Sequence, residues 1–145
     1  MKAVVQRVKN TRLFVDGQLI SEIPFGLTVF FGVKVGDTEK QADYIAKKIA
    51  GLRIFEDENG KMNLSVKDVG GEVLFVSQFT LYGDASKGNR PSFTLAERPE
   101  RADELYQYAA ERLREYGMPV KLGVFGADMQ IEQHNDGPVT ILLEI

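Results

Sequence analysis

The stretch Leu27-Thr28-Val29-Phe30-Phe31-Gly32-Val33 carries apolar side chains at nearly every position and leaves no polar face for water. A segment this short and this uniformly apolar reads as a strand covered on both sides. Whatever the rest of the chain does, it must supply two covering layers. Only two stretches have helical spacing. After Asp37 and Thr38, which can cap a helix, Ala42, Ile45, Ala46, Ile49 and Leu52 recur on one face. Between residues 99 and 116, Ala102, Leu105, Ala109, Leu113 and Tyr116 do the same, with Pro99 suited to the first helical position and Gly117 to the stop.

The remaining segments read as strands: residues 3–8, 13–15, 18–23, 53–56, 72–77, 120–125, 129–133 and 139–144. Asp16-Gly17 is a two-residue hairpin signal, because a type I′ turn needs positive φ at both positions. Asn59-Gly60 and Gly70-Gly71 read as further turns. Two helices cannot cover both faces of a sheet this large. The expected architecture is therefore one helical layer on one face, with a second sheet layer or a partner subunit on the other.

The chain has 145 residues, enough for one domain and too few for two well-filled cores, so residues 1–145 are expected to fold as a unit. Its longest apolar run, residues 25–35, is broken by Gly26, Gly32 and Lys34 and is too short to span a bilayer. Gln6 and Arg7 interrupt any signal-peptide core, which makes the cytoplasm the expected location and a membrane an unexpected partner. The absence of cysteine excludes disulfides, thiolate zinc sites and cysteine nucleophiles. His134 is the one histidine, so a metal site of several imidazoles is impossible. No serine stands in a Gly-x-Ser-x-Gly pattern that could join it in a triad, and His134 is read as a surface or structural residue. There is no Walker loop or dinucleotide-binding glycine pattern, and the carboxylates are scattered without a nominated pair. Neither metal nor cofactor is expected. The net charge of −3 provides no global field for nucleic acid, so such a ligand would be gripped at one end or by a local basic rim.

Two segments look unlike scaffold. Ser77-Gln78-Phe79-Thr80-Leu81 follows a buried strand with polar residues where apolar ones would continue it, an arrangement that can place side chains and freed backbone N–H groups in a cleft. Asn135-Asp136-Gly137-Pro138-Val139-Thr140 interrupts two strand-like runs with Gly-Pro, which by itself signals a turn.

Together these segments resemble the two signatures of the D-aminoacyl-tRNA deacylase family. The similarity extends in order through Gln6-Arg7-Val8, Arg53-Ile54-Phe55, Gly60-Lys61-Met62-Asn63-Leu64, Arg90-Pro91-Ser92-Phe93 and Gly126-Ala127-Asp128-Met129-Gln130. Leu52 stands where the family often has an aromatic residue, and Tyr82-Gly83 falls where it varies.

The resemblance implies a three-layer β/β/α sandwich of two sheets and two main helices. It also implies hydrolysis of the ester joining a D-amino acid, or glycine, to the 3′ end of tRNA. It further implies a homodimer in which Gly137-Pro138, with a cis bond, enters the partner's active site. Ser77, Gln78, Phe79 and Thr80 are then the catalytic segment, acting through backbone donors or, alternatively, through Thr80 as nucleophile. Arg7 would orient the Gly-Pro loop, and Ala102, Phe125 and Met129 would line the adenosine pocket. Lys87, Arg90 and Arg98 are candidates for a basic rim, with Lys47-Lys48 as a weaker one.

Overall fold

A computed structural model describes residues 1–145. The uniformly apolar run forms β3, Gly26–Gly32, which lies between β1, Lys2–Val15, on one side and β6, Glu72–Ser77, on the other. It is antiparallel to β1 and parallel to β6. β6 pairs in turn with β7, Val120–Leu122, also in parallel. The hairpin mate of β1 is β2, Gln18–Ile23, joined by Asp16 and Gly17 at φ 50° and 76°, the left-handed pair the turn demands. The last strand, β8, Gln130–Glu144, runs antiparallel along almost the whole of β1. A small separate ladder joins β4, Phe55–Glu56, to β5, Met62–Leu64.

Alternate residues of β6 show how the layers stack. Val73 and Phe75 belong to the larger core, with Ala3, Val5, Leu27, Val29 and Phe31 from the sheet. The helices α1, Glu39–Gly51, and α2, Pro99–Glu115, seal that face with Ala42, Ile45, Ala46, Ile49, Leu105, Tyr106, Ala109 and Leu113. Leu74 and Val76 point the other way, into a second cluster with Val8, Leu13 and Ile23. That second cluster is roofed by the distal half of β1, by β2 and by the near half of β8. The chain is thus a mixed α/β domain of helices, sheet and sheet, and β3 is covered on both faces.

Several boundaries differ from the sequence expectation. Residues 3–8 and 13–15 are one strand, as are 129–133 and 139–144. The polar stretch Lys9-Asn10-Thr11-Arg12 looked like a connection because nothing apolar marks it. It is strand because its backbone pairs with the equally polar Gln133–Asn135 region of β8. Thr11 is fully buried there and shares a 2.7 Å hydroxyl contact with Thr28. Either hydroxyl left alone inside the sheet would cost about 1–3 kcal/mol.

Thr38 alone caps α1, in a reciprocal box with Gln41. Asp37 closes the preceding turn instead, accepting from the Lys34 N–H at 2.8 Å. Tyr116, expected on the inner face of α2, is the C-cap and is exposed, while Tyr106 and Ala110 are buried in its place. β7 ends at Leu122, short of the expected residue 125.

Tyr106 stacks on Phe75 at 5.3 Å and donates its hydroxyl to the Phe75 carbonyl at 2.6 Å. Burial pushes its phenol, and that of Tyr82, well above the ordinary value. In the unfolded chain both ionise near pH 10, whereas in the fold they hold their protons, so the native state binds more protons at high pH. The tyrosines' contribution to stability is therefore expected to be level up to about pH 10 and to fall as pH rises beyond it. Urea unfolding midpoints measured from pH 8 upward check this, and Tyr106→Phe should flatten part of the decline.

Candidate active site

Beyond Ser77 the chain leaves β6 and makes a short 3-10 turn, Phe79–Tyr82. The Gln78 N–H still reaches back to the Phe31 carbonyl at 2.8 Å, the last tie to the sheet. The turn then closes on itself, with Leu81 N–H donating to Gln78 and Gly83 N–H to Thr80. The leading N–H groups of any such turn have no partner within it, and here they belong to Phe79 and Thr80. The polar residues after β6 thus end the strand at the mouth of a cleft.

That cleft has a volume of about 590 Å³, in the range of small-molecule sites. Ser77, Gln78, Phe79, Ala102, Phe125 and Met129 all line it, so segments far apart in sequence converge as expected. The helix stripe explains the burial of Ala102, yet its position near the start of α2 also puts it in the cleft lining. Met129 packs closely because residue 123 is glycine: a Cβ there would lie 2.7 Å from the Met129 sulfur. Phe79 is more than half exposed and makes an edge contact with Phe93 at 5.1 Å, which ties the 84–92 loop to the cleft.

Sequence reading missed Val33, Glu97, Pro99 and Asp128 as lining residues. Pro99 was legible as a helix start, but nothing local says that this start faces a cleft. Glu97 accepts from the Arg98 N–H at 2.8 Å and the Gly36 N–H at 3.2 Å. Those backbone donors, Arg98 first, hold its carboxyl below the usual carboxylate range and keep a negative charge at the cleft wall.

Thr80 is not part of the lining. Its hydroxyl is exposed and accepts from the Gln78 side-chain amide, with no acid or imidazole to draw off its proton. His134 lies within β8, exposed, and shares a 3.0 Å contact with Asn10. It does not line the cleft.

Arg7, Gly137 and Pro138 sit apart from the cleft of their own chain. The β1–β8 register passes from Gln6↔Thr140 to Val8↔Asn135, so residues 136–139 bulge out opposite Arg7. The Gly137–Pro138 peptide is cis, Gly137 has φ 121°, and both residues are exposed. Arg7 is almost fully buried beneath them. Its Nε donates to the Asp136 carbonyl at 3.3 Å and lies 3.2 Å from the Asp136 carboxylate. Its Nη1 donates to the Ile54 carbonyl at 2.7 Å. A buried guanidinium without such partners would be costly, so these contacts dictate the shape of the bulge. A polar ladder flanks it: Gln133 donates to Gln6 at 2.8 Å, and Gln6 donates to Thr140 at 3.3 Å.

The D-Tyr-tRNA(Tyr) deacylase family matches residues 4–144. The chain belongs to that family. It is 59% identical over 144 residues to a D-aminoacyl-tRNA deacylase of Koribacter versatilis (strain Ellin345), covering 99% of this chain and 97% of the relative. A D-aminoacyl-tRNA deacylase of Bacillus cytotoxicus (strain DSM 22905 / CIP 110041 / 391-98 / NVH 391-98) is 54% identical, with 99% of both chains covered. Among solved structures, one described as c-Myc DNA Unwinding Element Binding Protein superposes with a TM-score of 0.95 at 47% identity, covering 100% of this chain and 99% of the other. A probable eukaryotic D-amino acid tRNA deacylase superposes with a TM-score of 0.84 at 16% identity, covering 99% of this chain and 98% of the other, and shares the fold.

Proposed function

We propose that this deacylase-family hydrolase cleaves the ester between a D-amino acid and the 3′-terminal ribose of tRNA in the cytoplasm. The observation that carries the reading is a cleft bordered by Ser77, Gln78 and Phe79 whose surroundings hold no nucleophile–base pair. An aminoacyl ester is already activated. Its hydrolysis needs a positioned water and donors for the developing oxyanion more than it needs a side-chain nucleophile. The leading N–H groups of the turn, on Phe79 and Thr80, supply such donors. The vicinal 2′-hydroxyl of the substrate's ribose assists the water. Ala102, Phe125 and Met129 present the apolar wall against which an adenine ring would lie.

Chirality is handled by a second copy of the chain. In a homodimer, the exposed Gly137-Pro138 bulge enters the partner's cleft, and its carbonyl oxygens accept from the substrate's α-ammonium. With ester, ammonium and Cα hydrogen placed, a D side chain points to solvent and an L side chain strikes the wall. Specificity then comes from steric exclusion of the wrong enantiomer. Glycine, having no side chain to exclude, is a substrate too. Lys87, Arg90 and Arg98, which make no ion pair, form the rim for the acceptor end, whereas Arg101 is held by Glu39 and Glu104. A grip on one tRNA end suits a chain of net charge −3 better than broad duplex binding does.

The test is turnover of D- and L-aminoacyl-tRNA by purified protein at sub-stoichiometric amounts. Faster cleavage of an L substrate other than glycine would overturn the chiral reading. Absence of turnover would leave a tRNA-binding scaffold. Thr80→Ala is expected to keep activity within about tenfold of wild type, because it removes a hydroxyl and leaves the backbone donors. Complete loss with an unchanged circular dichroism spectrum would make Thr80 the nucleophile.

A further inference from the structure

The bulge that carries Gly137 has an anchor outside β8. Arg7 is nearly buried and makes its shortest hydrogen bond to the Ile54 carbonyl, at 2.7 Å. Ile54 lies one residue before β4, beyond the end of the β4–β5 ladder, whose last pair is Phe55↔Leu64. The Phe55↔Leu64 pair holds the Ile54–Phe55 peptide from its far side. A side-chain fork holds it from the near side. Arg53, the preceding residue, donates from Nε to the Asn63 carbonyl at 2.9 Å and from Nη2 to the Asn63 side-chain oxygen. A planar guanidinium bound at two points holds both distance and direction. The far end of the hairpin is closed by Asp57, which accepts from the Asn59 N–H at 2.9 Å and the Lys61 N–H at 3.0 Å.

These contacts form one line: Asn63 to Arg53, Arg53 along the backbone to Ile54, Ile54 to Arg7, and Arg7 to Asp136, the residue before Gly137. We propose that Arg53 and Asn63 are positioning residues for enantiomer selection, holding the Ile54 carbonyl and through it Arg7 and the Gly137 bulge. This rests on the role given above to Gly137-Pro138. The fork lies at the surface, where a pair of this kind contributes little to global stability, so its structural value is the direction it imposes. Once the fork is lost, the Ile54 peptide is held from the Phe55 side alone, its carbonyl can tilt, the Arg7 Nη1 bond weakens, and the Gly137 carbonyl loses its aim.

The experiment compares Asn63→Ala and Arg53→Ala with wild type and with Asn63→Asp, which retains the accepting oxygen. For each protein, kcat and KM are measured on a D-aminoacyl-tRNA and its L counterpart, and hydrogen exchange at the Arg7 Nε–H is followed by NMR. In both alanine variants the D-over-L ratio is expected to fall about tenfold, mainly through KM, as a misplaced binding group would cause. Arg7 exchange should accelerate while the melting temperature stays close to wild type. Asn63→Asp should restore both readouts. An unchanged ratio and unchanged Arg7 exchange in the two alanine variants would overturn the proposal, as would a lower melting temperature with the ratio preserved. Gly137→Ala in the same series separates the two levels. If it leaves the ratio unmoved, the bulge is not the gate and both readings fall. If it moves the ratio and the fork variants do not, only the positioning role fails.

Discussion

Gly137→Ala should lower kcat/KM for D-aminoacyl-tRNA about a hundredfold while the domain stays folded. The expectation comes from the space around the residue. Gly137 has φ 121°, where an L side chain is strained, and a Cβ there would lie 2.8 Å from the Val139 side chain and 3.0 Å from the Val139 N–H nitrogen. It would also stand 3.3 Å from Arg7 Nη2. The bulge is exposed and can relieve these contacts only by turning, which redirects the carbonyl oxygens offered to the substrate's ammonium. Because the strain sits in a bulge outside the core, the stability loss should stay near 1–3 kcal/mol, about what a strained backbone position costs. Steady-state hydrolysis of D-aminoacyl-tRNA, with a melting curve on the same sample, checks both parts. Wild-type kinetics in a folded variant would remove the carbonyl clamp from the mechanism.

The largest stability effect is expected from Gly26→Ala. Gly26 begins β3 at φ 139°, and its Cβ would sit 2.0 Å from the Glu72 carbonyl oxygen and 2.7 Å from the Glu72 nitrogen. Glu72 is its direct partner on β6, so the obstacle is backbone in the middle of the sheet. No rotamer change can relieve it. Either the β3–β6 pairing opens at this end or both strands shift, and Val73, Phe75 and Leu27 shift with them. The cost should reach about 4 kcal/mol or more, at the extreme of single substitutions, which is a melting temperature lower by about 10 °C. Gly60→Ala is the control. It has φ 72° with nothing within 4 Å of its would-be Cβ, and it should lose only the modest cost of a left-handed alanine. Equal losses at the two sites would show that backbone conformation, and not the close approach of β6, sets the requirement.

Local pattern carried much of this protein. The stripe Ala42, Ile45, Ala46, Ile49 marked α1, Asp37 and Thr38 together marked its start, and Asp16-Gly17 marked the first hairpin, because each depends on residues within one or two turns of chain. The apolar run of β3 required two covering layers, and two helical stripes were too few to provide both. The segment after β6 announced itself as non-scaffold because polar residues replaced the strand's apolar ones. The resemblance, carried by short motifs in order, supplied the family and the roles expected of Gly137 and Phe79.

Pairing across the chain decided the rest. The polar middle of β1 is strand only because β8, more than a hundred residues later, brings matching polar groups to it. Glu97, Val33 and Asp128 join the cleft only where three loops meet, and no local signal marks them. Arg7 could be named as the orienter of the bulge from the resemblance, but its second anchor on Ile54 lies 47 residues away, in a segment that sequence marked as a strand and turn with nothing to join it to Arg7. Sequence by itself determined which faces are apolar and where the backbone must turn, since side-chain periodicity and positive φ are properties of neighbouring residues. Tertiary structure alone decided which faces meet, which carbonyl Arg7 finds, and which side chains share the cleft, because those contacts exist only once distant segments have been brought together.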